Sequence, residues 1–273
     1  LLSIIKEFVP YLGKSIESYS NYSNNPFDYM ESLANRPKIK IASKPVLISN
    51  TPNPDDVIIK SSIMYHFQCS EQEAKQIMEE SEKIDPEYKA KSMNIILHKE
   101  ERRELEQVSF TFQIPISLSI LTHLTRHRMH SLLIPEFTPL WDFNNFIIPA
   151  TIQAKSELKN IFINAQKENM KIFEEFKNSN VSDEDLIYFY LGCQMLNVVT
   201  TMNGRTLQWI CNKAQWQIRN IAKELAKQVS SVAPLLGKGL GPTCMTDLVC
   251  YEGKECCGLI NSLLENRTVE KIK

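Results

Sequence analysis

The stretch EQVSFTFQIPISLSILTHLTRHRMH, residues 106–130, decides the fold because it runs from a strand pattern through a helix pattern into a cluster of positive charge. Residues 106–114 alternate in polarity and carry Phe, Thr and Val, which predicts a β-strand that ends at Pro115. The residues that follow have helical spacing. They predict a helix that runs into two arginines and two histidines, all within residues 125–130.

The composition indicates a globular protein in which any anion site must be a local feature. The 273 residues are 43% hydrophobic and 23% charged, and the formal net charge is −1. This balance gives no overall field that would attract nucleic acid or an acidic membrane. No apolar run is long enough to span a bilayer, and the first residues lack a signal-peptide cleavage site. We therefore expect a cytoplasmic protein that binds neither nucleic acid nor a membrane.

Three regions are expected along the chain. Residues 1–42 are mixed in character and include a polar run of Ser, Asn and Tyr, which is typical of an N-terminal extension or arm. Residues 43–238 carry the strand and helix patterns and form the main domain. Residues 239–273 form a cysteine-rich C-terminal tail.

Local patterns in the main domain predict an α+β fold, since helices dominate and the few strands are not in βαβ order. The predicted elements are strands at residues 44–50 and 194–203, a helix starting near Pro54, helices capped by Ser70 with Glu73 and by Ser182 with Asp185, and long helices at residues 151–178 and 203–233.

The basic cluster would place three histidines on one helix face, since His123, His127 and His130 are spaced at i, i+4 and i+7. Such a face, completed by Glu136, is one way to hold a transition metal. Two arginines beside a dication are unfavourable, however, and guanidinium groups bind phosphate through paired hydrogen bonds. We therefore expect an anion site and no metal. The alternative is a basic helix end that interacts with its own dipole.

A second cluster lies in NGRTLQWICNKAQWQIR, residues 203–219. Asn203 and Arg205 follow a strand pattern at a helix start, where backbone N–H groups favour anions. Gly204 would allow a ligand to approach the backbone. The two tryptophans of this segment either pack in the core or stack on a planar ring.

The tail holds four of the seven cysteines. Their spacing fits no standard Cys-x-x-Cys pair, so it does not choose between free thiols, a disulfide and a structural metal site. These residues are Cys244, Cys250, Cys256 and Cys257.

The motifs in these segments resemble the flavin-dependent thymidylate synthase family. That family has an Arg-His-Arg motif at a helix end, preceded by a Phe-Thr-Phe strand. It also has an Asn-x-Arg-x-Leu segment that leads into Ala-Gln-Trp-Glu-Ile-Arg, and some members end in a Gly-Pro-Ser-Cys tail. The corresponding residues here are Glu106, Phe110 to Phe112, Arg126 to Arg128, Asn203, Arg205, Leu207, Ala214 to Arg219 and Gly241 to Cys244.

The resemblance implies a homotetramer with a central, mostly antiparallel sheet flanked by long helices. It implies that FAD is held by Arg126, His127 and Arg128 of one subunit and by Asn203 and Arg205 of another. In the family, methylenetetrahydrofolate provides a one-carbon unit for C5 of dUMP, and NADPH supplies the electrons. No protein nucleophile is needed, because the flavin carries the difficult chemistry.

The residues on the substrate side depart from the family pattern. With two residues inserted, Glu136 and Thr138 match a family Glu and Ser that face the substrate. His123 replaces a family Gln and is either a proton donor or ring partner, or a packed histidine. The family arginines that contact dUMP fall at Leu140, Tyr188 and Trp209.

The loss of these arginines predicts an altered substrate pocket, because each charged hydrogen bond is worth about 1.5–3 kcal/mol. The expected methyl acceptor is dUMP, another pyrimidine or a related heteroaromatic ring. Two alternatives stay open. One is a flavin- or nucleotide-binding paralogue without methylation activity, and the other is a protein that binds metal through histidine and cysteine.

Overall fold

The described part of the chain contains a four-stranded antiparallel sheet with the strand order β1-β2-β4-β3. The strands are β1 (Val46–Asn50), β2 (Ser109–Ser117), β3 (Ser131–Leu133) and β4 (Met195–Asn203). The computed structural model describes residues 40–135, 143–179, 181–213, 218–251, 253–262 and 264. Most of the arm predicted at residues 1–42 therefore lies outside the described residues.

The two central strands pair along their full length, from Ser109 opposite Asn203 to Ser117 opposite Met195. Because successive side chains point to opposite faces of a sheet, every second residue of both strands enters the core. The buried apolar side chains are Phe110, Phe112, Ile114 and Ile116 on β2 and Leu196, Val198 and Met202 on β4.

Helices cover this buried face of the sheet and complete the predicted α+β fold. Buried residues of α1, α3, α8 and α9 join the strand residues in one hydrophobic cluster. The helices are α1 (Pro54–Phe67), α2 (Glu71–Ile84), α3 (Tyr88–His98), α4 (Leu118–Leu124), α5 (Ala150–Gln153), α6 (Ser156–Lys177), α7 (Asp183–Leu186), α8 (Gly204–Asn212), α9 (Arg219–Val232), α10 (Pro234–Gly237) and α11 (Thr243–Thr246).

The strand predicted at residues 106–114 is shifted in the structure. Glu106 belongs to a short 3₁₀ helix, Arg103–Gln107, that precedes β2. Pro115 does not end the strand. The pairing of β1 with β2 stops at Gln113, so Pro115 has a neighbouring strand only on one side, that of β4. A proline is tolerated at such an edge position, where no ladder hydrogen bond is lost.

Two predicted long helices are interrupted. The helix predicted at residues 151–178 is divided into α5 and α6 by Lys155, whose backbone is extended. The helix predicted at residues 203–233 is divided into α8 and α9. It stops at Asn212, whose side chain lies against the backbone of residues 239–241.

The helix caps predicted from local sequence are confirmed. Glu73 N–H donates to the Ser70 hydroxyl and Ser70 N–H donates to the Glu73 carboxylate, which forms the capping box of α2. The Ser182 hydroxyl accepts the Asp185 N–H at the start of α7. Among the described residues, no helix is both long and apolar enough to cross a membrane.

The 3₁₀ helix packs closely against the first residue of α8. Gly204 N–H donates to the carbonyl of Val108. A Cβ at Gly204 would lie 2.8 Å from the carbonyl oxygen of Leu105, a backbone atom that cannot move aside easily. The group that approaches Gly204 closely is therefore the protein's own backbone. The prediction that Gly204 lets a ligand approach the backbone is wrong.

We predict that Gly204→Ala lowers the free energy of unfolding by about 1–3 kcal/mol, because the new methyl group is overpacked against this carbonyl. Gly192→Ala is the matched control, since a Cβ there meets only Ser119 Cβ at 3.6 Å. Chemical denaturation of both variants measures the effect. Equal stability of the two variants would contradict the packing argument.

Candidate functional site

The Arg-His-Arg motif lies in a turn after α4 and not on a helix. The Ser117 hydroxyl caps the start of α4, which ends at Leu124. The chain then folds back on itself, and His127 N–H donates to the Leu124 carbonyl at 3.0 Å. The prediction that three histidines share one helix face is therefore wrong, since two of them follow the end of the helix.

His130 anchors this turn to the sheet. Its Nδ1 lies 2.7 Å from the Thr200 hydroxyl, and its Nε2 lies 3.3 Å from the Leu124 carbonyl. The same Thr200 hydroxyl donates to the Ser131 carbonyl at 2.8 Å. Both ring nitrogens of His130 are thus engaged by protein atoms, which leaves neither for a metal. The sequence contains no local pattern that reveals this role, because Thr200 is distant along the chain.

No candidate metal centre occurs in the described part of the chain. There, no three His, Cys, Asp or Glu side chains come together in a way that could hold a metal ion. In the described part of the chain, none of the seven cysteines is joined in a disulfide. Cys244 and Cys250 are half-buried, while Cys256 and Cys257 are exposed.

The Asn-x-Arg segment lies at the start of α8, and the side chain of Asn203 caps this helix. The Asn203 side-chain oxygen accepts the Thr206 N–H at 2.8 Å and caps the helix. This oxygen is committed to the fold, so the side-chain amide of Asn203 is the group that remains for a ligand.

Glu106 fixes the position of Arg205. A guanidinium nitrogen of Arg205 donates to a carboxylate oxygen of Glu106, and both side chains are partly exposed. Glu106 was recognised only as part of a motif, and its pairing with Arg205 was not predicted. The pair orients Arg205 at the end of the sheet where β2 begins and β4 ends.

The two motif segments are in direct contact within one chain. The Thr206 hydroxyl donates to the carbonyl of Met129 at 3.4 Å. The rings of His127 and Trp209 meet edge to face, with 4.7 Å between centroids and 74° between planes. We call the group formed by Arg126, His127, Arg128, Arg205 and Trp209 the arginine surface.

The arginine surface carries more positive than negative charge. Arg126 and Arg128 are exposed, and within the described residues neither has a carboxylate at ion-pair distance. Glu106 is paired with Arg205 and balances only one of the three guanidinium groups. Such a surface favours an anion, since guanidinium groups bind phosphate oxygens through paired hydrogen bonds.

His127 is held toward its neutral form. Partial burial lowers its pKa below the ordinary value, and the nearby His130 and His123 lower it further. The last turn of α4 places His123, which is half-buried, near this ring. At neutral pH the positive charge of the surface therefore comes from its arginines.

Other predicted site residues are elsewhere or outside the described part. Glu136, Thr138 and Leu140 lie outside the described residues. Tyr188 belongs to a 3₁₀ helix, Ile187–Phe189, which packs with α6 and α7, and the tyrosine is 82% exposed. Of the three positions expected in place of family arginines, Trp209 is the one that the structure places on the arginine surface.

Comparisons with known proteins place the chain in a family. A family model described as thymidylate synthase complementing protein matches residues 46–235. The flavin-dependent thymidylate synthase of Clostridium tetani is 32% identical over 237 residues, which cover 78% of this chain and 92% of the relative. The enzyme of the same name from Geobacter sulfurreducens is 26% identical over 224 residues, covering 79% and 94%. The chain therefore belongs to the flavin-dependent thymidylate synthase family, as its motifs indicated.

The fold also resembles a solved structure. A UMP/dUMP methylase from Streptomyces cacaoi, bound with 5-Br dUMP, superposes with a TM-score of 0.57 over 74% of this chain and 96% of that chain. Its sequence identity is 13%, so the likeness concerns the fold.

We predict that His130→Ala lowers the free energy of unfolding by about 1–3 kcal/mol, because it removes the hydrogen bonds that hold the turn. In a double-mutant cycle with Thr200→Val, the two changes should show a coupling of about 0.5 kcal/mol or more. His66→Ala, an exposed histidine of α1, is the control. Fully additive effects of the two substitutions would argue against the anchor.

The lowered pKa of His127 makes stability depend on pH. Because the folded pKa lies below the ordinary value of about 6.5, the unfolded chain binds more protons in the range between the two values. The free energy of unfolding therefore carries no penalty from His127 above that ordinary value, and it decreases as the pH is lowered through it. His127→Asn should reduce the stability difference between about pH 7.5 and pH 5.5, measured by denaturation. An unchanged difference would contradict the assignment.

Proposed function

We propose that this protein is a flavin-dependent enzyme that transfers a one-carbon unit to a pyrimidine nucleotide or a related heteroaromatic ring. The observation that carries the proposal is the contact between the Arg-His-Arg turn and the start of α8. Membership of the flavin-dependent thymidylate synthase family supports it. The solved methylase with a similar fold, which is bound with 5-Br dUMP, favours a pyrimidine nucleotide.

The residues of the arginine surface fit FAD. FAD combines a pyrophosphate with planar rings, and the surface combines exposed guanidinium groups with two partly exposed rings. Arg126, Arg128 and Arg205 would bind the pyrophosphate, and the Asn203 amide would donate a further hydrogen bond. His127 would contact the cofactor as a neutral ring. When bound, the flavin supplies the redox and one-carbon chemistry of the family.

The proposed overall reaction is balanced by the family's co-substrates. Methylenetetrahydrofolate gives its methylene carbon to C5 of the ring and leaves as tetrahydrofolate, and NADPH gives the hydride that completes the methyl group and leaves as NADP+. The C5 proton and one proton from solvent replace the two bonds between the methylene carbon and the folate nitrogens. The task of the chain is to orient the ligands and to stabilise their charge. We propose that Glu136 and Thr138 face the acceptor and that His123 is its proton donor or ring partner.

We further propose that the acceptor pocket differs from that of enzymes with three substrate arginines. Trp209 and Tyr188 offer no positive charge, and both are exposed in this chain. Lys213, which follows α8, is exposed and is the nearest cation along the chain to Trp209 on its C-terminal side. The homotetramer stays a prediction. The division of the FAD site between Arg126 to Arg128 of one subunit and Asn203 with Arg205 of another also stays a prediction, and it differs from the single-chain arrangement proposed here.

We predict that the Arg128→Ala variant binds FAD roughly ten- to a hundredfold more weakly than wild type, because each charged hydrogen bond contributes about 1.5–3 kcal/mol. The double variant, which also carries Arg205→Ala, should purify colourless. Arg103→Ala is the matched control, since Arg103 is exposed and, among the described residues, forms its ion pair with Glu101. Absorbance of the purified proteins and FAD titration measure the effect. A yellow double variant, or an Arg128→Ala protein that binds FAD with wild-type affinity, would rule out these positions as flavin ligands.

A second measurement separates the alternative functions. Wild-type protein that is yellow, bleaches with NADPH and adds mass to a pyrimidine in the presence of methylenetetrahydrofolate supports the proposal. Flavin that is bound but inert to NADPH and folate supports the paralogue without methylation activity. Stoichiometric metal without flavin supports the metal-binding alternative.

A further inference from the structure

Helix α8 is buried except along one strip. Its buried residues are Gly204, Thr206, Leu207, Gln208, Ile210 and Cys211. Arg205, Trp209 and the cap residue Lys213 are spaced by four residues, so they follow one another along the open side of the helix. The strip presents a cation, an indole and a second cation in that order.

Trp209 is the unusual member of this strip. Its side chain is 46% exposed, although a large aromatic ring gains free energy when it is buried. Its described ring contact is the edge-to-face contact with His127, which holds the indole in place without covering it. An ordered and half-covered indole between cations is suited to a planar ring whose ligand also carries phosphate.

We propose that Trp209 is a specificity-determining residue of the arginine surface and stacks on the planar heteroaromatic ring of a phosphate-bearing ligand. The ring is that of the bound flavin or that of the pyrimidine acceptor. This inference rests on the proposed function and deepens it. Arg205 on one side and Lys213 on the other bind the anionic groups attached to the ring.

Stacking on Trp209 accounts for selectivity that arginine side chains alone do not provide. Paired guanidinium groups bind any phosphate, whatever is attached to it. An aromatic platform adds a contribution that only a ligand with a flat ring receives, and such stacking changes affinity by roughly tenfold per ring. The strip therefore distinguishes nucleotides from simple phosphates.

The test compares Trp209→Phe and Trp209→Leu with wild-type protein by titration with FAD and, separately, with dUMP. Tyr65→Leu, which removes a 77% exposed aromatic ring of α1, is the matched control. The leucine variant should bind the stacked ligand on the order of tenfold more weakly, while the phenylalanine variant keeps most of the affinity. Weaker binding of FAD alone assigns the flavin, and weaker binding of dUMP alone assigns the acceptor.

A folded Trp209→Leu protein that binds both ligands with wild-type affinity would overturn the proposal. So would equal losses in the phenylalanine and leucine variants, since these would show that the indole acts only by packing against His127. If the leucine variant does not fold, the decision rests on fluorescence: FAD or dUMP must quench wild-type tryptophan emission more than that of Trp209→Phe. Equal quenching of the two proteins by both ligands would overturn the proposal. Wild-type protein that binds neither ligand would instead refute the proposed function itself.

Discussion

The antiparallel pairing of β2 with β4 brings the two motif segments together. Ser109 lies opposite Asn203. The 3₁₀ helix before β2 and α8 after β4 are therefore neighbours at one end of these strands, and there Glu106 pairs with Arg205. The chain leaves β2 at the far end and returns through α4, whose seven residues cover roughly 10 Å. Ser131 of β3 then pairs with Thr201 of β4, close to the same end of the strands. A slip of one residue in this register would invert the core face of β2 and separate the segments.

The arginine surface carries net positive charge on segments that other contacts hold in shape. Its three arginines are accompanied by one partnered carboxylate. The turn keeps its shape through the bonds of His130, and α8 keeps its place through its buried side. The proposed anionic ligand, by binding only the folded chain, would stabilise the fold. Binding and stability are therefore linked at this surface.

The elements that could be predicted from sequence are those fixed by neighbouring residues. The Ser70 and Ser182 caps and the strand at β4 depend on residues close together in the sequence, and all three were predicted. The helical face of histidines was not, because His130 bonds to Thr200, which is 70 residues distant. In the same way Glu106 leaves the predicted strand to pair with Arg205, 99 residues away. The family motifs identified the segments, but only the sheet register shows how they meet.

The proposed replacement of a family arginine by Trp209 would change one property of the site and keep another. Arginine and tryptophan both stack their flat faces on a ring, but the indole carries no charge and has one N–H donor. In the proposed site, tryptophan would therefore still select a planar ring, but the charge that would polarise a ring carbonyl or bind phosphate would be lost. The cations next to Trp209 along the chain are Arg205 on α8 and Lys213 just after it, and the proposed charge comes from these two residues. The Glu106 carboxylate offsets part of the charge of Arg205, so the contribution of Lys213 is the larger one in this proposal.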